Sequence, residues 1–422
     1  MHRFATAVTS ALLLLAASAP ATAATGNAPK TVFEHAGRAW AVATVVLGRP
    51  LQYRDGKLRA FPSRIVDLMA AARGEPRNVM LVYEVAADEM EKPFFNENDE
   101  IFGPIELLPE HSYWRDNLPP TPRHAIAGGR RNVFRGEEIA EARRVLKPYL
   151  DAYARKGRER IPGEIAAVAA ALDTTVPRLR EDAVQFLLAR AELGQQFPDA
   201  ARPAIAGYLA GPAPAPERAR LIEAVGKAKF EAIAPNLEAL AGGNDEVAVA
   251  ALAALENMGR PVASERVRSM LESGNEHQRA YAAERIARNA ESDPAALQRA
   301  TALMEPAEPQ KVRIAAATGL GASGSKGAVA PLAAAVRRGD SASRAAAMAL
   351  ASIGGEEAGS ALKAALLEGK GETAAAAVHG LRVIRGCQDC TRVLAEQHEK
   401  HPEQGVRKLI AVALEMPAKH EH

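Results

Sequence analysis

The sequence predicts a multidomain chain: a small, mainly β N-terminal domain followed by an all-α superhelical solenoid. Three observations predict it. From Ile161 onward, helical text recurs at a spacing of 31 to 34 residues. Between Thr31 and Phe134 the text instead holds short β-branched and aromatic runs separated by Gly, Pro and Asn. Composition is that of a folded chain, 48% hydrophobic and 25% charged, yet only 5% aromatic. Ala-rich, aromatic-poor helices suit many small helices stacked closely better than one large core.

The opening 24 residues are expected to be a signal peptide rather than part of the fold. His2 and Arg3 give a positive start, an apolar run spans Ala11 to Ala17, and Ala21-Thr22-Ala23 offers small residues for cleavage near Ala23 or Ala24. The run is far shorter than the roughly 20 residues that span a bilayer. No Cys lies near the cleavage site, and no later segment is apolar enough to span. The expectation is a mature chain with no integral membrane segment, periplasmic or secreted.

The segment 31–135 is expected to be the β-rich domain. Ala39–Gly48 reads as a strand ending at a glycine, and Val79–Val85 as a buried strand. Ile101–Leu108 is a third strand, interrupted by Pro104, and His124–Gly129 a fourth ending in a turn. The Val42–Gly48 strand and the run Gly128–Phe134 resemble those of secreted OB-like β-barrel domains, which implies a shape and no chemistry.

Residues 136–160 read as a connecting helix, Glu137–Tyr153, and a basic, polar hinge, Ala154–Glu159. The repeats follow over 161–416, leaving 417–422 as a tail. Comparable segments begin Gln278-Arg279-Ala280, Val312-Arg313-Ile314, Ser343-Arg344-Ala345 and Val406-Arg407-Lys408. Arginines at 279, 313, 344 and 407 are separated by 34, 31 and 63 residues, and 63 is two steps of about 31 to 32. Ala375 replaces the arginine in the skipped copy. Glycines at 259, 324, 354 and 386 are placed to end helices. The unit is helix, turn, helix, glycine. About eight helical pairs are expected, with second helices starting near Leu179, Glu217, Asp245, Glu276, Gln310, Ser341, Glu372 and Glu403. Gly211–Pro216 interrupts an early unit, as end units of such arrays often do.

This pattern resembles the short HEAT-like repeats named after phycobilisome lyases. Val-Arg, then Ala-Ala, Ala-Leu and Ile-Gly are matched well at 312–324 and 343–354. The resemblance implies architecture, and a protein partner held along a long open surface. It implies neither lyase activity nor any other chemistry.

Several residues offer chemistry. Cys387-Gln388-Asp389-Cys390 can be a redox dithiol at a helix start or a structural disulfide in an oxidising compartment. No second Cys pair completes a zinc site, and Thr391 stands where haem attachment needs His. His398 and His401 lie three apart and could share a metal, with no carboxylate or thiolate fixed beside them. Arg279, Arg313, Arg344 and Arg407 could present a basic ladder to an acidic partner. Turned inward, they would bond carbonyls or acids of the adjacent unit, such as Asp340 or Glu276. Tyr113, Trp114 and Arg115 beside Pro119 and Pro120 could form a ligand platform or fill a core. Asn96–Glu100 lacks the spacing and glycine of a calcium loop. No nucleotide-binding glycine loop, Gly-x-Ser-x-Gly elbow or His-Glu-x-x-His occurs, and a net charge of +2 gives no argument for nucleic acid.

The functional expectation is an exported, non-catalytic scaffold that needs no cofactor and binds a partner protein through its solenoid. The alternatives are a redox accessory factor using Cys387 and Cys390, or a cell-wall or polymer-binding module acting through the β domain.

Overall fold

A computed structural model of the protein describes residues 30–53, 58–72, 74, 76–85, 94–108 and 124–415. The expected signal peptide, the Tyr113–Pro120 aromatic platform and the 417–422 tail lie outside them. The chain divides into two compact units. One holds the described residues up to Leu240 together with 250–260, and the other holds 241–249 and 261–415.

The first unit opens on a short helix, α1 (Val32–Arg38), started by a capping box. Thr31 Oγ1 accepts from the Glu34 amide, and the Glu34 carboxylate accepts from the Thr31 amide. Six strands follow: β1 (Ala41–Leu47), β2 (Leu51–Tyr53), β3 (Leu58–Ala71), β4 (Asn78–Glu84), β5 (Glu100–Leu107) and β6 (His124–Ile126). β1 is antiparallel to both β3 and β5, β3 to β4, and β5 to β6, while β4 and β6 run parallel. These pairings return to their start, so β1, β3, β4, β6 and β5 close a five-stranded barrel, with β2 a hairpin extension on β3. The β region is thus a small Greek-key barrel, the shape the OB-like resemblance implies.

Closure depends on β3, which pairs with β4 through its first half and with β1 through its second. Register shifts opposite Val42/Ala43 and Thr44/Val45 bend it around the corner. Ala41, Ala43, Val45 and Leu47 line the interior with Phe61, Leu81, Ile101 and Ile105. Pro104 does not interrupt β5, contrary to the sequence expectation. The neighbouring residues Ile101, Gly103 and Ile105 pair with β1. The missing N–H of Pro104 falls on the opposite edge, where β6 has ended and the Pro104 carbonyl accepts from the Ala127 amide. Gly128 and Gly129, at φ of 77° and 72°, make the turn after β6.

Helices follow. α2 (Glu137–Tyr153) covers the outer face of the barrel, where Arg143 pairs with Asp67 of β3. Ala154–Glu159, read as a hinge, is a turn and a short 3-10 stretch, Gly157–Glu159. The first unit continues through α3 (Arg160–Ala170), α4 (Pro177–Glu192), α5 (Arg202–Ala210), α6 (Ala215–Lys227) and α7 (Ala234–Leu240). α8 (Glu246–Asn257) contributes residues to both units.

The second unit holds α9 (Ser264–Ser273), α10 (Glu276–Ala287), α11 (Pro294–Ala302), α12 (Gln310–Ser323), α13 (Val329–Arg337) and α14 (Ser343–Ile353). After these come α15 (Gly355–Glu368), α16 (Glu372–Val383), α17 (Cys390–Lys400) and α18 (Gln404–Glu415). Within this unit each odd-numbered helix pairs with the even-numbered helix after it, and each of the second helices α10, α12, α14, α16 and α18 packs on the next. From α4 onward the second helices begin at 177, 215, 246, 276, 310, 343, 372 and 404.

Small residues permit the stacking. A Cβ on Gly319 would stand 2.5 Å from the Glu284 carbonyl oxygen of α10, and one on Gly321 would stand 2.7 Å from Ala349 Cα of α14. Ala315, Ala316, Ala346 and Ala347 are buried beside Leu320 and Leu350, as an alanine-rich core requires. Among the described residues no helix is long and apolar enough to cross a membrane.

Candidate functional site

The second helices of the second unit leave one stripe of side chains half-buried or exposed to solvent. On α14 the residues Ala346, Ala347 and Leu350 are buried, whereas Arg344, Met348 and Ser352, four apart, reach solvent. Lys311, Ile314 and Thr318 form the matching stripe on α12, His379 and Val383 on α16, and Lys408 and Val412 on α18. The stripe faces away from the first helices, because their contacts bury the other sides.

The four ladder arginines divide. Arg279 Nη2 donates to Glu308 Oε2 at 2.5 Å, and Arg313 bonds Asp340. Both acids lie in turns of the next unit. Arg407, on the last helix, donates to the His401 and Pro402 carbonyls of its own turn at 2.5 and 3.1 Å. These three position turns, and partly exposed pairs of this kind each contribute about 0–1 kcal/mol. Glu276 is not the acid they use. Arg344 is exposed and makes no hydrogen bond or ion pair among the described residues.

Arg344 instead stands beside His379. Burial holds the His379 imidazole down to about 4, and the adjacent Arg344 and Arg382 cations push the same way. Lys311 Nζ lies 3.4 Å from His277 Nε2. The stripe is therefore a place where cationic and neutral nitrogen groups gather.

Cys387 and Cys390 are bonded to each other, with Cα atoms 5.7 Å apart, at the start of α17. The bridge lies on α15, where a Cβ on Gly359 would meet Cys387 Sγ at 2.6 Å and Cys390 Sγ at 3.3 Å. Gly355 donates to the Arg385 carbonyl at 2.8 Å, fastening the same turn. His398 is exposed, whereas His401 is buried and its Nδ1 accepts from the Glu403 amide at 3.2 Å. The two histidines therefore face different surroundings. Among the described residues no group of three or more His, Cys, Asp or Glu side chains could hold a metal.

The barrel has a cavity of about 210 Å³ at one end, lined by Leu47, Phe61, Leu81, Tyr83, Phe95 and Ile126 among others. Arg130 and Arg135 lie over the Phe94 ring at its rim, 5.3 and 4.5 Å from the centroid. In the nearby acidic turn, Asp99 accepts from the Asn96 amide at 2.9 Å and pairs with Arg135 at 3.4 Å. It caps a turn and meets an arginine.

Two buried carboxylates of the first unit were not singled out from sequence. Asp182 on α4 accepts from the Val32 amide at 2.7 Å and from Arg131 at 2.8 Å, joining α1, the turn after β6 and the helices. Burial raises its carboxyl above the ordinary value, and the Val32 amide and Arg131 oppose that shift. Glu164 on α3 is fully buried between Arg160 at 2.7 Å and Arg190 at 2.9 Å. A signal for both existed. Asp182 falls three after Leu179 and four before Phe186, and Glu164 four before Val168, so each interrupts an apolar stripe.

The family model of HEAT repeats matches residues 297–382, which run from within α11 to within α16. No curated protein matches the chain. Two solved structures are similar. The structure of human deoxyhypusine hydroxylase in complex with glycerol has 19% identity and a TM-score of 0.26, covering 65% of this chain and 94% of that one. The crystal structure of Kap121p bound to Pho4p has 12% identity and a TM-score of 0.28, covering 64% of this chain and 40% of that one. Such low scores carry no argument about arrangement, so the assignment stands on the repeat match and the helix pairs. Residues 297–382 are HEAT repeats, set within an all-α region of HEAT-like helix pairs that follows a small β-barrel.

Proposed function

We propose that this protein is an exported, non-catalytic scaffold that holds a partner protein on the second-helix face of its HEAT-like repeats. A HEAT-repeat region suits protein binding, since repeated helix pairs expose a long continuous face and no deep enclosed site. The observation that carries the reading is the stripe on α12, α14, α16 and α18. It mixes half-buried aliphatic groups such as Ile314 and Met348 with exposed cations, and nothing within the described chain covers it. Core-like and rim-like groups side by side are what an interface presents.

Export is supported by the residues of the N-terminal signal and by the Cys387–Cys390 bond, the form two nearby cysteines take in an oxidising compartment. The barrel serves in this reading as a second docking element.

The test is mild cross-linking of the full-length protein in its own envelope fraction, affinity purification and mapping of the linked residues. The expected result is a reproducible protein partner linked to α12, α14, α16 and α18. Links confined to the barrel or to Cys387–His401 would replace this reading with the polymer-binding or redox one.

A further inference from the structure

Resting on the scaffold reading, we infer that the partner of the second-helix face is an acidic, extended polypeptide segment carrying a carboxylate at about every third residue. The argument starts from which cations are already used. Arg279, Arg313, Arg338 and Arg407 spend their guanidinium groups on turns of their own or neighbouring units. A different set lies on the open stripe. His277 and Lys311 stand against each other, and Arg344 and Lys408 are exposed without a hydrogen bond or ion pair among the described residues. His379 of α16 lies beside Arg344. Five successive second helices, α10 to α18, thus each contribute a basic or imidazole group.

Carboxylates are scarce on the same helices. α12 and α14 have none. Glu276 and Glu372 sit at helix starts, and Glu284 is held by Arg288 of its own helix at 2.6 Å. The face therefore carries three cations, Lys311, Arg344 and Lys408, that no acid of the described residues pairs, and it complements a negative partner.

Spacing then selects the conformation. Packed helices lie about 8–10 Å apart, so Lys311 and Arg344 on neighbouring second helices stand about one such step apart, with Lys408 two steps further on and the His379 imidazole, a hydrogen-bonding group, between. A polyproline-type segment rises about 3.1 Å per residue with three residues per turn, so side chains three apart share a face about 9 Å apart. One acidic residue per turn would meet one second helix after another. Aliphatic groups decide between a peptide and a polyanion. Ile314, Met348 and Val412 are interleaved with the cations, and Val412 is 52% exposed. A peptide with small apolar residues between its acids would cover them, whereas a phosphate or sulfate polymer has nothing to place there.

The test uses the full-length protein and two fluorescent 15-residue peptides of identical composition, read by anisotropy. One repeats Glu-Ala-Pro five times, and the other gathers its five Glu at one end. The periodic peptide is expected to bind roughly tenfold more tightly and to weaken markedly as salt rises. The triple variant Lys311→Glu/Arg344→Glu/Lys408→Glu is expected to lose binding by roughly tenfold or more. The control Arg268→Glu/Lys326→Glu/Lys400→Glu, with its charges off the stripe, should bind as the parent does, and circular dichroism should show both variants folded.

Equal affinity for the two peptides, or equal loss in the control, would overturn the inference. Tight binding of a heparin fragment with neither peptide bound would overturn it in favour of a polyanion. If neither peptide binds while a partner still cross-links to α12–α18, the acidic chemistry is wrong and the scaffold reading stands. Cross-links that fall elsewhere would remove both.

Discussion

In the first unit Phe33, Tyr149 and Phe186 meet edge to face, with ring centroids 5.4 to 5.9 Å apart. Charged groups are buried around them, Asp182 against Arg131 and Glu164 between Arg160 and Arg190. The second unit reaches its core by the opposite route. Alanine and glycine let helix backbones touch, as Gly319 does Glu284 and Gly380 does Ala347, and the pairs Arg279–Glu308 and Arg313–Asp340 tie one repeat to the turn of the next. The contrast follows from what each unit must join. Holding a barrel against helices fixes two unlike surfaces in one geometry, which directional aromatic and charged contacts define well. Stacking like on like needs only close approach, which small residues give at every step.

The largest effect that tests this contrast is expected from Phe186→Ala. It should destabilise the first unit by about 3–5 kcal/mol, because a large buried ring leaves a cavity. Hydrogen exchange should localise the loss to α1, α2 and α4. Gly319→Val attacks the other device. A side chain has nowhere to go against the Glu284 carbonyl, so a cost near the upper end of about 1–3 kcal/mol is expected in α10 and α12. If Gly319→Val were harmless, close backbone approach would not be what holds the second unit.

Replacing both Cys387 and Cys390 by Ser should cost about 2 kcal/mol in the second unit, the chain-entropy value for so short a loop. Chemical denaturation should show the change with partner binding intact. Loss of function without loss of stability would instead favour the redox alternative.

Two carboxylates of the first unit, Asp182 and Glu141, predict opposite pH responses. Burial raises the folded-state value of Asp182. Its folded form therefore binds the proton more tightly, and its contribution to stability falls as pH rises from the ordinary carboxylate range through that raised value. Glu141 of α2 is held at about 2, first by its hydrogen bond from Arg144. Its stabilising contribution is present above the ordinary value of 4.5 and is lost as pH falls toward 2. Stability against pH should accordingly tilt in one direction for Asp182→Asn and in the other for Glu141→Gln. Two parallel shifts would contradict both assignments. The smallest effect is expected from Arg279→Gln, at most about 1 kcal/mol by thermal melting, because the pair with Glu308 is partly exposed.

The repeats were legible because each unit writes the same signals, an Ala-rich apolar stripe and a closing glycine such as Gly324 or Gly354. β3 was not legible. It is the longest strand, but Pro62 lies inside it, two register shifts break the alternation in its second half, and in its first half the successive residues Ala60 and Phe61 are both buried, in different clusters. α1 carries its start signal in Thr31 and Glu34, yet seven residues are too few for a period to register. Of the candidate site, the arginine spacing was visible, but not which arginines would be occupied. That depends on acids such as Glu308 and Asp340 in the next unit's turn, 27 to 29 residues away. The stripe around Arg344 and His379 emerges only once neighbouring helices are side by side.

The most direct test of the central claim places a photo-crosslinking amino acid, one position at a time, at Thr318, Met348 and Val412 on second helices and at Leu367 on the first helix α15. All four side chains reach solvent, and Leu367 is 55% exposed. The account predicts that one partner protein is captured from the second-helix positions and not from Leu367. Capture from Leu367 with none from Met348 or Val412 would contradict it.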